Sequence, residues 1–100
     1  MIYYNVSIHI EPAIEQAWLQ WMLEIHIPQV MATGCFTDYV FTRLLEPVQE
    51  GTLTYIAQYL VEDESHLQQY YDEYAPALRQ DSSNRFGDNF VIFRSVTKSV

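Results

Sequence analysis

Few side chains in this 100-residue sequence could do chemistry, and His26 is foremost among them. At about 100° per residue along a helix it falls on the border of an apolar stripe, just before the Ile27-Pro28 step. An imidazole there titrates near neutrality. It could act as acid or base at the mouth of a pocket, or hydrogen-bond the last carbonyls of its helix. Tyr3, Asn5, Ser7 and His9 form a polar row at a spacing of two. A buried polar row needs partners, which could be a ligand, ordered water, or the side chains of Thr54 and Gln58. Arg43 and Arg94 stand in β-forming runs, where a guanidinium either grips an acidic ligand bidentately or pairs with a neighbouring carboxylate. The expected site is His26 as the catalytic acid or base, with Tyr3, Asn5, Ser7, Arg43 and Gln58 binding the ligand.

Other chemistries are not signalled. Asp63, Glu64 and His66 match no established metal spacing and read as charge at the start of a helix, so no metal and no cofactor is expected. Cys35 has no basic neighbour in sequence and reads as packing rather than as a nucleophile. Only three glycines are present, spread apart, so no phosphate-cradling loop exists. In the cluster from Tyr70 to Tyr74, Tyr71 and Tyr74 are expected on the core, with Asp72 and Glu73 in water.

Periodicity supplies the secondary structure that carries these residues. Ile2, Tyr4, Val6, Ile8 and Ile10 alternate with the polar row, which predicts a first strand. Pro12 suits the first turn of a helix, and Ile14, Trp18, Trp21, Met22 and Ile25 repeat at helical pitch, giving a helix from Pro12 to Ile25. Pro28 should push Ile27 out of helical dihedrals and bend the chain at 26–28, before a last turn through Gln29 to Ala32 ended by Gly34. Cys35 to Glu46 and Leu53 to Glu62 read as two strands joined by a loop from Pro47 to Gly51. Asp63 or Ser65 caps a second helix with Leu67, Tyr71, Tyr74 and Leu78 on its apolar line, and Pro76 kinks or restarts it. Asp81 to Asp88 reads as loop, and Phe90 to Val100 as the last strand. The order βαββαβ over residues 1–100 predicts one α+β, ferredoxin-like domain, a four-stranded antiparallel sheet with both helices on one face.

Composition shapes the remaining expectations. Thirteen acids against five bases leave a net charge of −8. The bases are too scattered to track phosphates, so nucleic acid is not an expected partner. An anionic membrane surface is disfavoured by the same repulsion, and no apolar run approaches the ~18 residues of a spanning helix. With no basic, greasy leader and a single cysteine, a cytoplasmic location is expected. Apolar residues make up 49% of the chain and charged residues 18%, lean for a small monomer. The middle strands carry apolar residues on both faces: Phe36, Val40 and Leu44 against Tyr39, Phe41 and Leu45, then Tyr55, Ala57, Tyr59 and Val61 against Ile56 and Leu60. At about 25 cal/mol per Å2, leaving such a face wet would forfeit on the order of 10 kcal/mol per protomer. A homodimer pairing the open faces is the expected cover.

Asn5, Trp18, Trp21-Met22, His26-Ile27-Pro28, Val30 to Gly34, Thr54-Tyr55 with Gln58-Tyr59, Tyr70 to Pro76 and Arg85-Phe86-Gly87 together resemble a family of small bacterial proteins classed as a domain of unknown function. That family is related to the dimeric α/β-barrel superfamily. The resemblance covers nearly the whole chain and implies the dimeric barrel. The wider superfamily includes cofactor-free monooxygenases, haem-degrading enzymes, isomerases and ether-pathway proteins, and its members often carry a His-x-Pro after the first helix, as at His26 to Pro28. Asn5 is similar in position to the strand-one Asn of the haem-degrading relatives. Their haem-ligating His comes late in the second helix, whereas here that helix has only His66 near its start. The resemblance therefore implies either a small-molecule binder or cofactor-free enzyme of monooxygenase or isomerase type, or a non-catalytic dimeric module. The first of these calls for a closed pocket of ~300 Å3 or more.

Overall fold

A computed structural model describes residues 1–47 and 50–100. Val48 and Gln49 of the expected loop lie outside the described residues. Strands β1 (Ile2–Ile10), β2 (Asp38–Arg43), β3 (Leu53–Val61) and β4 (Phe90–Lys98) form one sheet in the order β2-β3-β1-β4. Every neighbouring pair is antiparallel. β1 is central and pairs along its full length with both β3 and β4. Its even-numbered apolar residues are buried, whereas Tyr3, Asn5, Ser7 and His9 are only half-buried on the other face. β3 obeys the same division: Tyr55, Ala57, Tyr59 and Val61 are buried, Ile56, Gln58 and Leu60 half-buried. This is the ferredoxin-like βαββαβ arrangement expected, with its core on one side of the sheet.

β2 is shorter than its sequence suggests. Cys35 and Phe36 precede it and turn into the core, where the Phe36 ring stacks on Tyr4 at 5.9 Å and 10°. Phe36 therefore belongs with the helix side of the sheet, apart from Val40 of its expected set, which faces outward across from Gln58. Gly34, at φ 76, makes the reversal that ends the preceding helix.

The helices differ more from expectation. The first helical rod begins as a 3-10 turn at Pro12–Ile14, continues as α1 (Glu15–Trp21), widens to a π-turn at Met22–His26 and resumes as α2 (Ile27–Ala32). The bend expected at Pro28 does not occur, and Ile27 is helical at φ −60, ψ −44. The Ile27 N–H bonds five residues back to Met22 O. This slip relieves the clash a proline ring makes with the carbonyl four residues before it, and it sets Pro28 in a fresh first turn. The second rod repeats the device: α3 (Glu64–Gln69), a π-turn at Tyr70–Tyr74, then α4 (Ala75–Phe86), with Ala75 N–H on Tyr70 O just before Pro76. Pro76 thus restarts the helix.

Each π-turn rotates the helical turns beyond it, so the buried partner of Met22 is Ile27, and Tyr70 is followed by Ala75. Tyr70 is the tyrosine fully in the core, while Tyr71 and Tyr74 are half-buried against it. Asp63 caps α3 as expected, its Oδ1 accepting from His66 N at 2.9 Å.

Residues 81–86, expected as loop, are helix. Pairs at i,i+4, Gln80 to Asn84 at 2.9 Å and Arg85 to Asp81 at 3.4 Å, lie along that stretch. The helix stops at Gly87, whose φ 57, ψ −126 are those of the first central residue of a type II′ turn. Asn89 N donates to Phe86 O at 3.2 Å to close it. No neighbour crowds a Cβ built at Gly87, so its replacement tests the backbone alone. Gly87→Ala should lower the unfolding free energy by about 1–3 kcal/mol in a urea titration; an unchanged midpoint would contradict the turn assignment.

Candidate functional site

Between the helical rods and the β1 and β4 half of the sheet lies a cleft lined by Tyr4, Tyr59 and Tyr70, by Trp21 and His26, and at its α4 and β4 side by Arg79, Ser82 and Arg94. The room left for a water-sized molecule is about 40 Å3, space for two or three waters. A shallower groove of about 380 Å3 between α2 and α4, lined by Gln29, Thr33, Glu73 and Tyr74, is open to solvent. It has no convergent buried polar groups, so the first cleft is the candidate.

Its walls are built by elements already described. The even residues of β1 supply Tyr4, Val6 and Ile8, and the π-turns supply Met22, His26 and Tyr70. Trp21 is 4% exposed and its ring stacks on His26 at 4.7 Å and 25°, with the Arg85 guanidinium 5.9 Å from the Trp21 ring. Trp21 Nε1 and His26 Nδ1 are both buried without a hydrogen-bond partner among the described residues. Adjacent orphans of this kind are uncommon in folded proteins and call for an occupant. His26 therefore caps no helix carbonyl through Nδ1. Burial disfavours its charged form and lowers its pKa to about 4, against the opposing pull of the Asp81 carboxylate and with a small push from Arg94. At neutral pH it is an uncharged imidazole. Burial also raises the Tyr59 and Tyr70 hydroxyls above the usual phenol range, each reinforced by the adjacent Tyr4, so the phenols stay protonated donors.

The expected site residues do not share this cleft. Tyr3, Asn5, Ser7 and Gln58 occupy the opposite face of the sheet, separated from His26 by the thickness of β1, because they have the other phase of the alternation. There Asn5 and Gln58 complete each other: Gln58 Nε2 donates to Asn5 Oδ1 at 2.9 Å, and Asn5 Nδ2 donates to Thr97 Oγ1 at 3.0 Å. His9 Nδ1 lies 2.8 Å from Thr54 Oγ1. This is the cross-strand network weighed from the sequence, with Thr97 of β4 as the added partner. Arg43 is exposed at the end of edge strand β2, opposite Tyr55 and remote from the cleft lining. Its place is taken by Arg94, which pairs in register with Val6 and so faces the helices. Arg79, Trp21, Tyr70 and Ser82 carried no functional signal; Trp21 read as core stripe, and Tyr70 fell outside the apolar line drawn through Leu67 and Tyr71. Among the described residues no three His, Cys, Asp or Glu side chains converge as a metal ion would need, and Asp63 and His66 are engaged with each other at 2.7 Å. No helix is long and apolar enough to cross a membrane.

The profile of a domain of unknown function, DUF4286, matches residues 1–100. The chain belongs to this family. None of the curated proteins matches it. Among solved structures it is similar to an ethyl tert-butyl ether (ethd) family protein from Bacillus halodurans, with TM-score 0.69, 17% identity and 100% of both chains covered. A dimeric ferredoxin-like protein from an uncultured marine organism gives TM-score 0.56 at 7% identity, covering 99% of this chain and 95% of that one. A de novo designed protein gives 0.64 at 8% identity, with 99% and 98% covered. That a designed chain shares the backbone underlines that these likenesses carry the fold and no activity.

The neutral His26 makes stability depend on pH. Its pKa of about 4 lies below the ordinary 6.5, so the unfolded chain binds a proton that the folded one refuses. Stability is then complete above about pH 6.5 and falls as pH drops toward 4. Relative to His26→Gln, the wild type should lose about 2–3 kcal/mol of unfolding free energy between about pH 7 and about pH 4.5. Parallel losses in both proteins, measured by urea unfolding, would show that His26 is not held neutral.

Proposed function

We propose that the protein binds a small molecule in the cleft between the helical rods and β1 and β4, with His26 as the group that gives or takes a proton, and that it works as a homodimer. The observation that carries the first part is the pair of unpartnered buried atoms, Trp21 Nε1 and His26 Nδ1, on one aromatic wall. An uncharged imidazole held out of water can donate or accept a hydrogen bond with no charge to bury, and it takes up a proton only against the cost that burial sets on its charged form. The chemistry that fits is cofactor-free acid–base work, of the kind an isomerase or monooxygenase uses.

A second reading, a non-catalytic dimeric module, is favoured by one observation. The open room of about 40 Å3 is well short of the ~300 Å3 of an ordinary ligand pocket, so any ligand beyond a few heavy atoms must displace side chains.

The dimer rests on the open sheet face. Phe93 is 63% exposed, Val91 54% and Val40 48%, and Ile56 and Leu60 stand half-buried between them in the register. Such a patch on a small chain asks for cover, and a second copy presents the same patch in a two-fold pairing.

Native mass spectrometry beside the denatured mass tests both parts. A dimer with added mass on each protomer, lost in Trp21→Phe or His26→Ala, is the expected result. A dimer without added mass would favour the module, and a monomer would remove the interface. Phe93→Glu should convert the dimer to monomer while leaving the helix signal in circular dichroism intact, because residue 93 lies outside the core.

A further inference from the structure

We propose that the ligand of this cleft is a small organic carboxylate gripped by Arg79 and Arg94; the inference rests on the cleft being a binding site and names the class of molecule it takes. The chain carries five bases and thirteen acids. Two of those bases line the cleft and none of the acids does. In a chain so acidic, that reversal of local charge needs a cause.

Neither arginine is neutralised. Among the described residues the ion pairs are His66 with Asp63 and Arg85 with Asp81. The acid nearest in influence to His26, Asp81, is thereby already held by Arg85. Arg79 donates to Tyr4 Oη at 3.2 Å and lies over the Tyr71 ring at 5.9 Å. Those contacts orient the guanidinium without satisfying its charge. Arg94 projects from β4 on the helix side, and its charge, like that of Arg79, bears on Tyr70 and Tyr71. Both cations thus line the same side of the cleft, Arg79 from α4 and Arg94 from β4.

The remaining polar groups agree in kind. An arginine and an indole N–H can only donate, so Arg79, Arg94 and Trp21 Nε1 together call for a ligand rich in acceptors. A carboxylate matches the arginine fork bidentately. The aromatic wall of Tyr4, Tyr59 and Tyr70 excludes a fully hydrated ion and favours an apolar body, and the room available limits that body to a few heavy atoms unless the wall yields.

Butyrate, butyramide and butylamine share a shape and differ in charge, and the overall charge of −8 would by itself favour the amine. Titration of each into the 15N-labelled protein, reading the Trp21 indole N–H and the His26 ring signals, tests the assignment. Butyrate should move these signals most strongly, and Arg94→Gln should weaken it roughly tenfold or more while leaving butyramide unchanged. Arg94 is exposed, so its substitution spares the core. Amide or amine binding as tight as butyrate would overturn the carboxylate assignment while the cleft stood as a binding site. If none of the three moved the Trp21 and His26 signals, both the assignment and the reading of the cleft would fall.

Discussion

Everything in this molecule is registered to β1. A central strand hydrogen-bonded along both edges has no freedom to slip, since a one-residue shift would carry Ile2, Tyr4, Val6, Ile8 and Ile10 to the wet face and Tyr3, Asn5, Ser7 and His9 into the core. The strand therefore separates two chemically distinct spaces a single residue apart. On one side the phenol of Tyr4 meets Arg79 at the cleft; on the other the amide of Asn5 is fully engaged by Gln58 and Thr97. A polar residue on β1 thus belongs to the candidate cleft or to the open face of the sheet by parity alone.

Parity was legible from the sequence, and with it the antiparallel sheet and the ferredoxin-like fold. What parity implies for the site was harder to draw. His26 and the polar row of β1 are both titratable or polar in an apolar chain, and composition invites their combination into one constellation. The sheet stands between them. Arg43 and Arg94 are indistinguishable as arginines in β-rich runs. Only the register of β4 against β1, which places Arg94 opposite Val6, assigns one of them to the cleft.

The helices concealed more, for one physical reason. Sequence periodicity assumes 3.6 residues per turn, and both rods break that assumption immediately before a proline. A proline in the fourth turn of a helix ordinarily ends it; here a π-turn absorbs the misfit, the rod runs on, and every later side chain is rotated. Ile27 takes the burial that the pattern assigns to Ile25, and Ala75 rather than Tyr74 is the next residue buried after Tyr70. The two π-turns also supply Met22, His26 and Tyr70 to the same cleft. The least regular backbone of each rod thus lies against the cleft that holds the unpartnered Trp21 Nε1 and His26 Nδ1.

That coincidence gives the cleft its character. A core this aromatic would be more stable with Leu in place of His26 and with the Trp21 indole hydrogen-bonded, because an unpaired buried donor forfeits about 1–3 kcal/mol. Arg79 and Arg94 could each be neutralised by one of the thirteen acids. The chain instead keeps both cations unpaired beside a neutral imidazole and an orphan indole N–H, in the only region where its helices depart from α geometry among the described residues apart from the opening 3-10 turn. Local rules broken together in one place are the pattern of a region shaped by something other than stability.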